Sequence, residues 1–254
     1  MASKETADTA PSDYWRDAKR PLASLVFVAP LLVFYEVGVL VLGPQAMRNA
    51  ADVWLRALLD WFGFGSYFLL PVLTCSALLA WHHATRQPWR VRSGVLYGML
   101  IESLVFGFAL LLIAGWQQSL LRALLPASAG AGDAGTVWAL LVGYIGAGIY
   151  EELLFRLMLL PAAIGFFRLI GMTPRTSIVA AIVTTSLLFS AAHYQFDIVL
   201  AGYPFRAVYG ESFEWSSFIF RFLAGALFSL LFLHRGFGIA VGSHALYDLF
   251  TLLS

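Results

Sequence analysis

Charged residues are scarce in this sequence, and cysteine is nearly absent. Only 12% of the 254 residues are charged while 60% are hydrophobic, and an ordinary soluble protein has roughly 25% charged residues. This composition is typical of a membrane protein. The single cysteine, Cys75, has no partner in the chain, which excludes an intramolecular disulfide. The formal net charge of +1 shows no basic excess, so no nucleic-acid partner is expected.

Long apolar runs separated by polar breaks predict an all-α fold, a polytopic transmembrane helical bundle with about seven spans, in the range of six to eight. The first run, Pro21 to Gly43, covers about 35 Å of helix and can cross a hydrocarbon core of ~30 Å. It is longer than the apolar core of a signal peptide, so we expect a retained helix. The other spans are predicted at Ser66 to Trp81, Gly94 to Trp116, Thr136 to Leu160, Ser177 to about Leu200, Ser217 to Leu233 and Phe237 to Leu253.

The polar residues 1–20 form a tail ahead of the first span. When the spans alternate, most basic residues of the connecting segments fall on the side of this tail, including Arg86, Arg90 and Arg92. The positive-inside rule therefore predicts a cytoplasmic N-terminus, and we expect a multi-pass protein of the bacterial inner membrane. We divide the chain into a cytoplasmic tail (1–20), about three N-terminal membrane helices (21–135) and a membrane core (136–254).

Ionisable side chains are few inside the predicted spans. Each costs about 3 kcal/mol at mid-bilayer, so such residues usually face the bundle interior or a wet cavity. They are Glu36, Glu102, Glu151, Glu152, Arg156, His193, His244 and Asp248. Glu36 and Glu102 could reach the site, but packing against a buried arginine or hydroxyl explains them at least as well, and we leave them out of the candidate site.

The stretch GAGIYEELLFRLMLL, residues 146–160, contains three of these charges. Residues four apart share a helix face, so Glu152 and Arg156 are predicted to form an ion pair, whereas Glu151 points about 100° away. A polar cluster that only holds helices together would explain this stretch equally well. Residues in the other spans are therefore needed to distinguish a functional site from a structural polar cluster.

Two later spans add groups suited to acid and base chemistry. In FSAAH, His193 follows Phe189 by four positions, and in HALYD, Asp248 follows His244 by four. The small Gly242 and Ser243 before His244 are predicted to allow close helix approach. Each pattern alone is explained by packing or by a local hydrogen bond. Three separate helices that all offer such groups favour a functional site.

The motifs EELLFR, FSAAH and HALYD resemble, in order and spacing, the CAAX-protease and bacteriocin-processing (CPBP) family of glutamate-type intramembrane proteases, which includes the prenyl-protein endopeptidases. The resemblance covers roughly residues 136–254. It implies a membrane peptidase in which Glu151 and His193 activate the attacking water. It further implies that Glu152 and Arg156 support that site, and that His244 and the residue four positions later stabilise the oxyanion.

Asp248 departs from the family pattern, which usually has asparagine at this position. An asparagine side chain can donate a hydrogen bond, whereas an ionised aspartate can only accept one. Asp248 is then either protonated, or it orients His244 from the side, or it helps to bind a cation. The last alternative makes Glu151, His193, His244 and Asp248 a ligand set for zinc or a similar ion. The metal-free mechanism is the one we expect, without any cofactor.

The resemblance implies an enzyme whose partners are the lipid bilayer and a membrane-associated protein or peptide substrate. That substrate is a prenylated CAAX-type tail, a leader peptide or a sorting tail, and the sequence does not choose among them. Two other functions compete with the protease. One is a non-catalytic membrane scaffold or regulator with the same fold, and the other is a small proton-relaying transporter, for which no inverted repeat is found. The sequence gives no indication of the oligomeric state.

Overall fold

The computed structural model describes residues 11–65, 67–124, 136–200, 203–207 and 210–253. Its helices, in chain order, are α1 (Pro11–Asp17), α2 (Pro21–Leu42), α3 (Ala50–Trp61), α4 (Leu69–Ala84), α5 (Ser93–Leu124), α6 (Val137–Glu152), α7 (Leu160–Leu169), α8 (Pro174–Ala191), α9 (Trp215–Arg235) and α10 (Phe237–Thr251). A 3-10 turn (Gly43–Gln45) follows α2, and a π-helical segment (Leu153–Leu159) joins α6 to α7. Strands β1 (Phe196–Leu200) and β2 (Tyr203–Ala207) form a small antiparallel hairpin. The predicted helical bundle is confirmed, with this hairpin as an addition.

Within the described residues, four segments are long and apolar enough to cross a membrane: Pro21–Gln45, Ser93–Gln117, Pro174–Ala191 and Trp215–Arg235. Large apolar side chains cover their outer surfaces, and Val33, Val41 and Ile101 are each more than half exposed. Such extended apolar surface is rare on soluble proteins and marks contact with lipid. The chain is therefore an integral membrane protein. Crossings by α4, by the continuous α6–α7 helix and by α10 would complete the seven spans, a number that stays a prediction.

Helix α10 lies at the centre of the bundle. Every residue from Phe237 to Ala245 is buried, and the helix packs against α2, α5, α6 and α9. Close packing depends on small residues, because a Cβ atom at Gly242 would collide with the Ser103 hydroxyl. This confirms the close helix approach that was predicted from Gly242.

The two ends of the bundle differ. At the end that carries α1, called the tail end, Arg235 of α9 pairs with Glu102 of α5 (Nη2 to Oε1, 2.7 Å). The Arg235 guanidinium also lies 3.8 Å from the ring centre of Trp15 in α1. At the same end, the Gly238 N–H at the start of α10 donates to the Ser24 hydroxyl at the start of α2, at 3.0 Å. The opposite end contains the ends of α2, α8 and α10 and the starts of α6 and α9. A cavity lies between these segments, so this end is called the cavity end.

Two predicted span boundaries are wrong. Helix α8 ends at Ala191 and not near Leu200, because the aromatic and β-branched residues of Phe196–Leu200 favour a strand and pair with the next segment. The helix of the fourth predicted span does not end at Leu160 but continues through α7 to Leu169. Here the Leu160 N–H bonds to the Phe155 carbonyl, five residues back, so the helix passes into Pro161 without a break.

Candidate active site

Four of the predicted side chains form a row at the inner wall of one cavity. Oε2 of Glu151, at the end of α6, lies 3.6 Å from Nε2 of His193 and 3.8 Å from Nε2 of His244. Nε2 of His244, in turn, lies 3.6 Å from Oδ2 of Asp248, one turn later on α10. Glu151 and His244 are buried, and His193 is half-buried just beyond the end of α8. The structure thus brings groups from three helices together around one carboxylate.

The remaining two predicted residues lie behind this row. Oε1 of Glu152 lies 2.9 Å from Nη1 of Arg156, which confirms the predicted ion pair, and it accepts a hydrogen bond of 2.7 Å from Nδ1 of His244. Glu152 is 0% and Arg156 is 1% exposed, and Arg156 also donates to the Gly225 carbonyl at 3.1 Å. Removing one partner of such a buried pair typically costs about 3–5 kcal/mol. The arrangement therefore fixes the orientation of the His244 ring from the protein interior.

Aromatic rings enclose the two histidines. The Phe228 ring stacks on His244 with 4.6 Å between ring centres and 14° between ring planes. Phe189 packs edge-on against His193 at 5.0 Å and against His244 at 5.9 Å, and the Arg156 guanidinium lies 4.3 Å from its ring centre. A cation held over an aromatic face contributes about 0.5–2 kcal/mol. Phe189, which the FSAAH motif includes, therefore links both histidines to the buried arginine.

Glycine allows α6 and α10 to approach closely enough for these contacts. A Cβ atom at Gly148 would lie 2.7 Å from Cβ and 2.8 Å from N of Ala245, distances that real Cβ atoms do not show. Gly148 lies one turn before Glu152, and Ala245 directly follows His244. The spacing between the two glutamates and His244 therefore depends on the absence of a side chain at Gly148.

Hydrogen bonds to the chain select the protonated nitrogen of each histidine. Nδ1 of His193 lies 2.8 Å from the Phe189 carbonyl, which can only accept, so Nδ1 carries a proton. Nδ1 of His244 is likewise placed to donate to the Glu152 carboxylate. In both rings, Nε2 is the nitrogen that faces Glu151. Neutral His193 therefore presents a lone pair toward this carboxylate.

The segment after the hairpin fixes the backbone of His193. The Glu211 N–H donates to the His193 carbonyl at 2.9 Å, and the Gln195 N–H donates to the Glu211 carbonyl at 3.0 Å. Gly210 makes this pairing possible, because its φ is +131° and a Cβ atom there would lie 2.8 Å from the His193 carbonyl oxygen. The loop between the hairpin and α9 therefore helps to place the histidine.

The cavity has a volume of about 480 Å³. Its wall includes Glu151, His193, His244 and Asp248, together with Met47, Arg48, Asn49, Glu211 and Arg221 from the cavity end of the bundle. The sequence left open which side the site faces. The lining residues show that the cavity reaches the end of the bundle opposite to α1.

The metal-binding alternative depends on whether all four donors can surround one point. Each donor atom lies 3.6–3.8 Å from the next one along the row. Two donors that each bind zinc at about 2.0–2.2 Å lie roughly 3.4 Å apart in a tetrahedral site, so the spacing of neighbours does not decide the question. Within the residues described, no group of three or more His, Cys, Asp or Glu side chains has the arrangement of a metal site. A metal-dependent reaction stays a prediction that bound-metal analysis can test.

Glu36 and Glu102, which were left out of the candidate site, each pair with an arginine. Nη2 of Arg56 lies 3.0 Å from Oε1 of Glu36, and Arg235 pairs with Glu102. Sequence reasoning missed two residues at the site itself, Phe228 and Arg221. Arg221 could have been found, because it is a basic residue in the second turn of a predicted span. Phe228 had no signal of its own in an apolar run rich in phenylalanine.

The comparison with protein families agrees with the motifs. Residues 133–250 match the family model described as Rce1-like, type II CAAX prenyl endopeptidase Rce1-like. The match includes every predicted site residue and confirms the family resemblance. No curated protein and no solved structure matches the chain significantly. The family indicates, in general terms, a CAAX-type intramembrane protease.

Proposed function

We propose, on the premise that residues 133–250 of this chain belong to the type II CAAX prenyl endopeptidase Rce1-like family, that the protein is an intramembrane endopeptidase. It hydrolyses a peptide bond of a membrane-associated protein or peptide with a water activated by Glu151 and His193. One observation carries the proposal. The Glu151 carboxylate lies between two histidine Nε2 atoms, at 3.6 and 3.8 Å, in the wall of a cavity of about 480 Å³.

The attacking water fits between Glu151 and His193. Two polar atoms 3.6 Å apart are too far from each other for a good hydrogen bond, but one water can bond to both at about 2.8 Å. Both atoms accept hydrogen bonds in this state, Glu151 as a carboxylate and His193 through its Nε2 lone pair. The water then points both of its protons at the protein and its own lone pair at the substrate carbonyl.

The bond changes balance without a covalent enzyme intermediate. The water oxygen bonds to the carbonyl carbon while Glu151 accepts one water proton. When the carbon–nitrogen bond breaks, Glu151 returns this proton to the leaving amine. The tetrahedral oxygen needs a donor, and His244 supplies it when Nε2 as well as Nδ1 is protonated. Other oxyanion donors contribute about 3 kcal/mol.

Asp248 supports His244 in this mechanism. Its carboxylate lies 3.6 Å from Nε2 of His244, and Glu152 binds Nδ1 from the other side. Two carboxylates stabilise the positive charge of a doubly protonated imidazole. Asp248 then acts on the oxyanion through His244, in place of the direct donation that an asparagine would provide.

The test is the variant Glu151→Gln, purified and reconstituted in lipid nanodiscs. It keeps the size of the side chain but cannot accept the water proton, so cleavage of a farnesylated CAAX-type peptide should fall at least 1,000-fold with an unchanged melting temperature. Glu102→Gln is the matched control, because it alters a partly buried glutamate at the tail end, and this variant should keep cleaving.

The substrate class is tested in cells. Wild-type and Glu151→Gln strains are compared for uncut C-terminal tails and uncut leader segments in their membrane proteomes. The segment that accumulates in the variant identifies the class. Equal proteomes, together with unreduced turnover in the purified variant, would contradict the assignment of Glu151. Wild-type protein that cleaves nothing would favour the scaffold.

A further inference from the structure

Arg221 is a cation in the wall of the catalytic cavity that the proposed reaction does not use. It lies in the second turn of α9, with 19% of its side chain exposed. Its Nη2 donates to Oε1 of Glu211 at 2.8 Å, and its guanidinium carbon lies 5.3 Å from the ring centre of Tyr194. These contacts hold the guanidinium at the cavity end, beside the catalytic groups.

One nitrogen of this guanidinium has spare donor capacity. Nη1 of Arg221 is buried and has no hydrogen-bond partner among the described residues. A buried N–H on a charged group is costly when it is unpaired, because it has lost its water without gaining an acceptor. A ligand that brings an acceptor into the cavity removes this cost.

The surroundings favour an anionic ligand at Arg221. Its partner Glu211 is 62% exposed, so solvent weakens that pair. The second guanidinium in the cavity wall, that of Arg48, is engaged by the fully buried Asp52 at 2.8 Å. Arg221 lines the same cavity as Glu151 and Asp248. A carboxylate bound there would be neutralised inside an otherwise acidic cavity.

We propose that Arg221 is a specificity residue that binds a carboxylate of the substrate through Nη1. This inference rests on the proposed peptidase function and narrows its substrate class to peptides with a carboxylate close to the scissile bond. The guanidinium fork suits a carboxylate better than the single charge of a lysine does. The carboxylate is either the C-terminus of the substrate or an acidic side chain, and the test separates the two.

The experiment measures binding to the Glu151→Gln protein in nanodiscs, so that it does not depend on turnover. Three prenylated peptides share one sequence: one has a free C-terminal carboxylate, one has a C-terminal amide, and one has the amide plus a glutamine-to-glutamate change next to the scissile bond. We expect one of the two carboxylate peptides to bind at least about tenfold more tightly than the amide peptide. Adding Arg221→Gln should remove this difference.

Glu211→Gln is the matched control, because it breaks the same ion pair but keeps the guanidinium. It should preserve or increase the carboxylate preference, whereas Arg221→Gln abolishes it, and Arg221→Lys should retain only part of it. Equal binding of all three peptides to the Glu151→Gln protein would overturn the proposal, as would a preference that survives Arg221→Gln. A preference that persists although the wild type cleaves none of the peptides would contradict the peptidase function and leave carboxylate binding intact.

Discussion

Nδ1 of His244 lies 2.7 Å from Oε1 of Glu152, and the same oxygen lies 2.9 Å from Nη1 of Arg156. The two adjacent glutamates therefore have different surroundings. Glu151 faces the cavity, while Glu152 is fully buried between an imidazole and a guanidinium. We infer that Glu152 positions His244 and that only Glu151 contacts the water.

The variant Glu152→Gln should leave the Arg156 charge buried without its carboxylate. We expect a loss of about 3–5 kcal/mol in the free energy of unfolding, together with a lower kcat and a nearly unchanged KM. The double variant Glu152→Gln with Arg156→Met removes both charges. It should recover much of the stability while kcat stays low, as measured by thermal unfolding and peptide turnover. Recovery of kcat along with stability would show that the pair is only structural.

The variant Asp248→Asn separates the metal-free and metal-dependent reactions. Asparagine can donate directly to the oxyanion, so a metal-free enzyme should keep its turnover or increase it. Turnover and bound metal, the latter by elemental mass spectrometry, are measured on the same preparation. Loss of both in Asp248→Asn would establish coordination in place of the proposed role. Asp248→Leu, which can neither donate nor accept, should be inactive in either case.

The variant Gly210→Ala tests whether the loop after the hairpin places His193. The new Cβ atom would lie 2.8 Å from the His193 carbonyl oxygen, and the φ of +131° is strained for alanine. We expect at least a tenfold loss in kcat/KM with little change in global stability. Gly171→Ala is the control, since Gly171 also has a positive φ, +92°, but no neighbour within 4 Å of the added atom. Equal activity of the two variants would contradict this role.

The variant Gly148→Ala tests the close approach of α6 and α10. An added Cβ has to push Ala245 away and thereby separate Glu151 from His244. We expect lower stability and at least a tenfold loss of turnover. Gly165→Ala in α7 is the matched control, because nothing lies within 4 Å of its added atom. That control should be neutral or stabilising by up to about 1 kcal/mol, since alanine is the better helix former.

Contacts within one helix could be predicted from the sequence. The pair of Glu152 and Arg156 follows from a spacing of four, and the bundle follows from the apolar runs. Contacts between helices could not be predicted in this way. A buried arginine was one of the partners considered for Glu102, but nothing in the sequence indicates that this arginine is Arg235, far along the chain. The same limit hid the contact between His244 and Glu152, which joins α10 to α6.

Helix ends were also hard to predict, for local reasons. The run after His193 is apolar enough to continue a span, yet its strand-forming residues pair with Tyr203–Ala207. His193 lies just beyond Ala191, where the helix of the fifth predicted span ends. Glu151 and His244 lie within their helices, whereas His193 contacts Glu151 from the turn beyond Ala191.

The two ends of the bundle also bear on the number of membrane crossings. Helix α1 packs at the tail end beside Arg235, whereas Asp248 and Thr251, near the end of α10, line the cavity at the other end. If the two ends of the bundle lie at opposite membrane faces, the chain crosses the membrane an odd number of times between α1 and the end of α10, as the predicted seven spans require. A reporter attached beside Thr251 would then show which face of the membrane the cavity opens to.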